Sequence, residues 1–120
     1  MGQECFYREN RKDREEREVL LTERLAKDGG QMLFRIRPMT QRENEGIWKR
    51  CGEDEKRYEC AVLAESVVFP DLKDAELQDS YGVVGAESLL KKLLLAGEYD
   101  RLRMAVEEIN GGDGGCIDYI

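Results

Sequence analysis

The chain has 120 residues, of which 41% are hydrophobic and 38% are charged, and its formal net charge at pH 7 is −7. A chain of this length forms one domain with one apolar core. The acidic balance disfavours broad binding to nucleic-acid phosphates, and no apolar run approaches the ~20 residues that a membrane-spanning helix needs.

The first predicted ordered element is a β-hairpin over residues 18–37, after a polar arm at 1–17 that we expect to be flexible. Asp28, Gly29 and Gly30 supply the backbone freedom of a tight turn. In the second arm of the hairpin, apolar residues alternate with arginines, which indicates a half-buried strand. Pro38 ends the strand because it lacks a backbone donor.

Two helices are predicted next. Thr40 and Glu43 have the spacing of a capping box, so a helix should begin near residue 41 and end at Gly52. A second helix should follow from residue 53 and end before Pro70. Residues 67–69 (VVF) are also compatible with a strand, and helix is the favoured interpretation there.

Three shorter helices complete the predicted domain. Asp74 caps the first, which ends at Gly82, and a leucine-rich helix opens at Gly85 and is broken by Gly97. The last helix covers residues 98–109 and ends at Asn110 and Gly111. We therefore expect an α+β fold that is mostly helical, with an N-terminal β-hairpin followed by four or five short packed helices. The domain should span residues 18–111, with a flexible glycine-rich tail at 112–120.

Few residues are suited to catalysis. The chain has no histidine, so nucleophilic catalysis lacks its usual base. Pairs of carboxylates such as Asp74 with Glu76, or Glu65 with Asp71, are better explained as helix caps and solvated helix faces. Residues 111–115 are glycine-rich but follow a helix, whereas a phosphate-binding loop precedes one. We expect no enzymatic activity.

The four cysteines, at positions 5, 51, 60 and 116, do not have the spacing of a zinc site. Cys51 and Cys60 are interpreted as small apolar fillers in or beside helices, and Cys116 as exposed. We expect no metal and no cofactor.

Apolar residues on more than one side of the short helices predict a surface for another protein. A stripe such as Leu89, Leu90, Leu93 and Leu94 is most often simple core. Together with Leu95 and Leu72, however, it leaves surplus apolar surface, which is typical of interaction sites. An amphipathic helix would lay its apolar face on such a surface. Trp48, Tyr81 and Tyr99 have two interpretations, core anchor or binding hot spot. The candidate partner-binding residues are Trp48, Leu72, Leu77, Tyr81, Leu90, Leu94, Leu95 and Tyr99.

Several segments resemble the XkdN-like phage tail assembly chaperones, a family of contractile-tailed phages and of PBSX-type defective prophages. The segments that carry the resemblance are residues 34–40 (FRIRPMT), 69–72 (FPDL), 74–82 (DAELQDSYG), 85–92 (GAESLLKK) and 95–99 (LAGEY). Residues 74–82 are the most specific of them, and the resemblance extends over roughly residues 18–111.

The resemblance implies a non-enzymatic protein that binds the tape measure protein and helps to recruit tail tube subunits. It would act in the cytoplasm of the bacterial host and be absent from the mature virion, without contacting nucleic acid or membrane. Self-association is left open. The alternatives are a structural tail component, such as a tube or baseplate adaptor that stays in the virion, and a small regulatory partner of an enzyme.

Overall fold

A computed structural model describes residues 2–10, 15–22, 24 and 32–111 of the chain. Before the first strand, the described residues form two short 3-10 turns, Glu4–Phe6 and Arg8–Asn10. The predicted hairpin turn at residues 28–30 and the predicted tail at 112–120, including Cys116, lie outside the described residues.

Over the described ranges, the sheet has three antiparallel strands in the order β1-β2-β3. They are β1 (Arg17–Thr22), β2 (Met32–Ile36) and β3 (Val67–Phe69). Val19 lies opposite Phe34 in the β1–β2 hairpin, and Ile36 lies opposite Val67 across the β2–β3 pair. Phe34 and Ile36 are buried and Arg35 is exposed, as the alternation in the sequence predicts. The predicted hairpin is thus confirmed.

The favoured helical interpretation of residue 67 was wrong, because β3 begins there. The preceding helix ends at Ser66, and the backbone N–H of Arg37 donates to the carbonyl of Ser66 at 2.9 Å. The edge of β2 that faces away from β1 would have unpaired backbone groups without β3, and β-branched valines fit a pleated sheet well. Val67 is also buried beside Ile36. Pairing with β2 therefore determines the secondary structure of residues 67–69, whose local sequence is ambiguous.

Within the described part of the chain, five helices follow the hairpin, which confirms the predicted fold class. They are α1 (Gln41–Arg50), α2 (Glu55–Ser66), α3 (Ala75–Ser80), α4 (Ala86–Leu93) and α5 (Ala96–Ile109). Gly52 and Gly111 adopt positive φ just after α1 and α5, as expected of helix stops. Gly97 does not break a helix, because it lies in the first turn of α5.

The core lies between one face of the sheet and the helices. α5 packs against β1, and α2 packs against α4, α5 and β3. The main cluster joins the inward side chains of the sheet, such as Phe34 and Ile36, to leucines of α4 and α5. A smaller cluster between α1 and α2 contains Ile47, Cys51 and Ala61. Both Cys51 and Cys60 are buried, as predicted.

The capping box at the start of α1 has both of its reciprocal bonds. The backbone N–H of Glu43 donates to Thr40 Oγ1 at 3.2 Å, and the N–H of Thr40 donates to Glu43 Oε1 at 3.1 Å. We expect Thr40→Ala to lower the free energy of unfolding by about 1 kcal/mol, since the helix loses one side-chain acceptor. Urea denaturation would measure the change, with Thr40→Ser as the control that keeps the hydroxyl. Equal stability of the alanine and serine variants would contradict this role.

Candidate partner-binding surfaces

Three of the eight candidate residues lie in the core. Leu72, Leu90 and Leu94 have exposed fractions of 3%, 0% and 7%. α4 packs against α2 and contributes Leu89, Leu90 and Leu93 to the main core cluster, and Leu94 directly follows them into the same cluster. Because these side chains are already covered by the chain itself, this part of the predicted surface is corrected: the leucine stripe of α4 is core.

The other candidates reach the surface to different extents. Leu95 is 58% exposed at the α4–α5 junction. Leu77, Tyr81 and Tyr99 are half-buried and pack against the main core cluster. Trp48 is half-buried too, and its ring meets that of Tyr58 edge to face, with centroids 5.2 Å apart. The structure does not gather these residues into one patch.

Leu95 adjoins a depression of about 490 Å³ between α2, α4 and α5. Leu94, Ala96 and Tyr99 form part of its lining, with Lys56, Glu59 and Lys91 as the charged residues. Burial raises the pKa of the Tyr99 hydroxyl above its ordinary value and also that of the neighbouring Cys60 thiol. A thiol with a raised pKa is a poor nucleophile, so these groups suit packing better than catalysis.

A second concave surface, the α1–α2–α5 groove, has a volume of about 680 Å³. α1 and α5 both pack against α2, and the groove opens between them. One end is closed where the backbone N–H of Met39 donates to Asn110 Oδ1 at 2.6 Å. The lining residues are Met39, Thr40, Gln41, Asn44, Glu55, Tyr58, Glu59, Val62, Leu63, Arg103, Val106, Glu107 and Asn110.

None of the eight candidates lines this groove. The helical spacing of Tyr58 and Val62 on α2, and of Val106 on α5, predicts buried faces, and Val106 is indeed buried. Tyr58 and Val62 stay half-buried because α1 covers only part of the α2 face. The sequence signal for an apolar face was present, but the tertiary packing of α1 and α5 on α2 determines how much of that face remains open.

An ion pair with a buried carboxylate holds the hairpin against the α4–α5 junction. Arg24 Nη2 lies 2.6 Å from Glu98 Oε1 and Arg24 Nε lies 3.0 Å from Glu98 Oε2, while the backbone N–H of Leu95 donates to Glu98 Oε1 at 2.8 Å. Glu98 is only 6% exposed. These donors, Arg24 foremost, lower the pKa of Glu98 to about 2. The pair therefore fixes the segment that presents Leu95.

The carboxylates considered for catalysis have structural partners. Asp74 accepts a bond from the backbone N–H of Glu76 at 3.2 Å and caps α3, as predicted. Glu65 is half-buried rather than fully solvated, and it lies 3.5 Å from Arg37 and 4.0 Å from Lys73.

Among the described residues, no group of three or more cysteine and acidic side chains is arranged to hold a metal ion. Within the same ranges, no helix is both long and apolar enough to cross a membrane.

Comparisons with known proteins agree with the fold and with the resemblance seen in the sequence. The chain is similar to the crystal structure of the protein YqbN, a structural genomics target, with a TM-score of 0.80 and 26% sequence identity. The similarity covers 89% of this chain and 93% of that one. No curated protein sequence matches the chain significantly.

The profile of a phage family, described as the XkdN-like tail assembly chaperone proteins, matches residues 4–119. The match covers nearly the whole chain, including the arm and tail residues that lay outside the resemblance described above. It confirms that resemblance. The chain belongs to the XkdN-like family of phage tail assembly chaperones.

Proposed function

We propose that this protein binds the tape measure protein during phage tail assembly and helps to recruit tail tube subunits, acting by binding and without catalysis. It would work in the cytoplasm of the infected or lysogenic bacterium and leave the tail before the virion is complete. The observation that carries the proposal is membership of the tail assembly chaperone family over residues 4–119.

The surface of the chain supports a binding role. Leu95 is more than half exposed beside a depression, and a groove with an apolar floor lies between α1, α2 and α5. Exposed apolar side chains next to concave surfaces are typical of protein-binding sites. Among the described residues, the buried Glu98 accepts a bond from the N–H of Leu95, and the buried Cys51 packs between α1 and α2.

Co-expression with the tape measure protein and the tube protein of the same phage tests the proposal. We expect this chain to co-purify with the tape measure protein and to keep it soluble, and the tube protein to join the complex. Mass spectrometry of purified virions separates this role from the structural alternative, because a chaperone should be absent from finished particles. Abundant chain in the virion would favour a tube or baseplate adaptor.

A single substitution at the exposed Leu95 tests the same role. We expect Leu95→Asp to weaken co-purification with the tape measure protein about tenfold, since it puts a charge into an apolar contact. Its circular dichroism melting curve should match that of the wild type, because the side chain is 58% exposed.

Met104→Asp is the matched control for the leucine variant. Met104 is a similarly exposed apolar residue of α5, at 55%, and lies outside the lining of both concave surfaces. If both folded variants retained the tape measure protein equally, Leu95 would not be part of the binding surface.

A further inference from the structure

We propose that the α1–α2–α5 groove binds one face of an amphipathic helix that carries lysine or arginine beside its apolar residues. This proposal rests on the proposed function and deepens it, because it names the surface and the chemistry of the partner segment. Its three supports are the apolar floor of the groove, the helical nature of its walls and the charge at its rim.

The floor of the groove is apolar. Leu63 and Val106 are buried at its base, and Met39, Val62 and the Tyr58 ring are half-buried above them. The hydroxyl of Tyr58 is bonded to Asn44 Oδ1, which leaves the ring as the part that a partner would contact. A volume of about 680 Å³ lies within the range of well-formed binding sites and accommodates several side chains.

The walls of the groove determine the form of its occupant. All three are helices, whose backbone groups bond within their own helix, so they offer no strand edge for pairing. At the start of α1, the N–H groups of Met39, Thr40 and Glu43 are already bonded. A segment that enters an apolar groove must bring its own backbone hydrogen bonds, and a helix does so.

The charge at the rim determines which helix fits. Glu55 and Glu59 on α2 and Glu107 on α5 line the groove, and all three are exposed. Arg103 is the one cation among its described lining residues, and it lies 2.8 Å from Asp100 and 3.5 Å from Glu107. The α1 wall contributes the uncharged Thr40, Gln41 and Asn44. The net negative rim attracts a basic partner and repels an acidic one.

The same charge argues against other occupants. A second copy of this chain would bring a net charge of −7 to an acidic rim, which opposes self-association at this face. The glycine-rich residues after Gly111 carry two aspartates and no lysine or arginine, so they also lack charge complementarity with the groove. A basic helix of a partner protein fits both the floor and the rim.

The test uses the full chain and overlapping 30-residue peptides that cover the tape measure protein of the same phage, with binding measured by fluorescence polarisation. We expect the tightest peptides to combine an apolar helical stripe with lysine or arginine. The groove variant is Glu55→Lys with Glu107→Lys, two exposed positions that line the groove and not the depression beside Leu95, and that should leave the fold intact. Its control is Glu15→Lys with Glu16→Lys, which changes the net charge equally outside the groove.

We expect the groove variant to bind the tightest peptide about tenfold more weakly, the control to stay within about twofold, and a peptide with lysines changed to glutamates to restore binding to the groove variant. Equal binding by groove variant and control would overturn the groove assignment while leaving the chaperone role in place. A failure of every peptide to bind the wild type would overturn both. A shift from dimer to monomer in the groove variant, measured by light scattering, would identify a second copy as the occupant and overturn the proposal.

Discussion

Leu90→Ala is expected to lower the free energy of unfolding by about 3 kcal/mol, the larger of the two main effects that the structure predicts. Leu90 has no exposed surface and lies in the main core cluster together with side chains of the sheet, α2 and α5. Truncation removes buried methyl groups and leaves a cavity that well-packed neighbours fill only in part. Urea denaturation followed by circular dichroism would measure the loss.

Leu95→Ala is the matched control, five positions along the chain. Leu95 is 58% exposed, so its truncation should change stability by less than about 0.5 kcal/mol. Comparing the two variants distinguishes the two roles that the sequence allowed for these leucines, core packing and partner binding. If Leu90→Ala were as stable as Leu95→Ala, the stripe on α4 would not be core, and the description of its packing would be wrong.

Glu98→Gln is expected to lower the free energy of unfolding at pH 7 by about 1–3 kcal/mol, because it breaks a nearly buried ion pair. Glutamine keeps an acceptor for the backbone N–H of Leu95, which Glu98 Oε1 now meets at 2.8 Å, but it has no charge for Arg24. The loss is smaller than for a fully buried pair because the Arg24 side chain is 45% exposed and partly screened by water. Urea denaturation measures it.

The same group makes stability depend on pH. The pKa of Glu98 falls from 4.5 to about 2 on folding, chiefly through its bonds to Arg24. A lowered carboxyl pKa contributes stability that is complete above the unfolded value near 4.5 and is lost as the pH falls toward about 2. The stability difference between wild type and Glu98→Gln should therefore shrink between pH 5 and pH 2.

Glu107→Gln is the control for both Glu98 measurements. Glu107 forms an exposed ion pair with Arg103 at 3.5 Å, and its side chain is 58% exposed. Its substitution should cost little at either pH, since exposed pairs contribute about 0–1 kcal/mol. A stability difference between wild type and Glu98→Gln that is the same at pH 7 and pH 3 would contradict the lowered pKa.

Local signals in the sequence were enough to place most helix ends. The Thr40–Glu43 capping box, the Asp74 cap and the positive-φ Gly52 all lie where the sequence predicts them. Each acts within a few residues of its own position, through side-chain to backbone bonds or backbone freedom, so no distant contact is needed to interpret it. The hairpin was predictable for the same reason, since alternation identifies a half-buried strand.

Weak local preferences misled the prediction at two places. Glycine is typical of a helix end, so Gly97 predicted a break between two helices. In the structure, Glu98 accepts a bond from the N–H of Leu95, and α5 begins at Ala96, one residue before the glycine. Val67 extends a helical pattern, but the free edge of β2 pairs with it. At Val67 a strand from elsewhere in the chain outweighs a weak local preference, and at Gly97 a local capping bond does.

The amino-acid sequence by itself determined the fold class, the helix caps and the membership of a tail assembly chaperone family, because these depend on local periodicity and on specific short segments. Only the tertiary structure decided which apolar residues are covered. Leu94 is buried and its neighbour Leu95 is exposed, and the apolar face between α1 and α5 stays partly open. Periodicity shows that a helix has an apolar face, but burial depends on where other elements lie, and that is set by long-range packing.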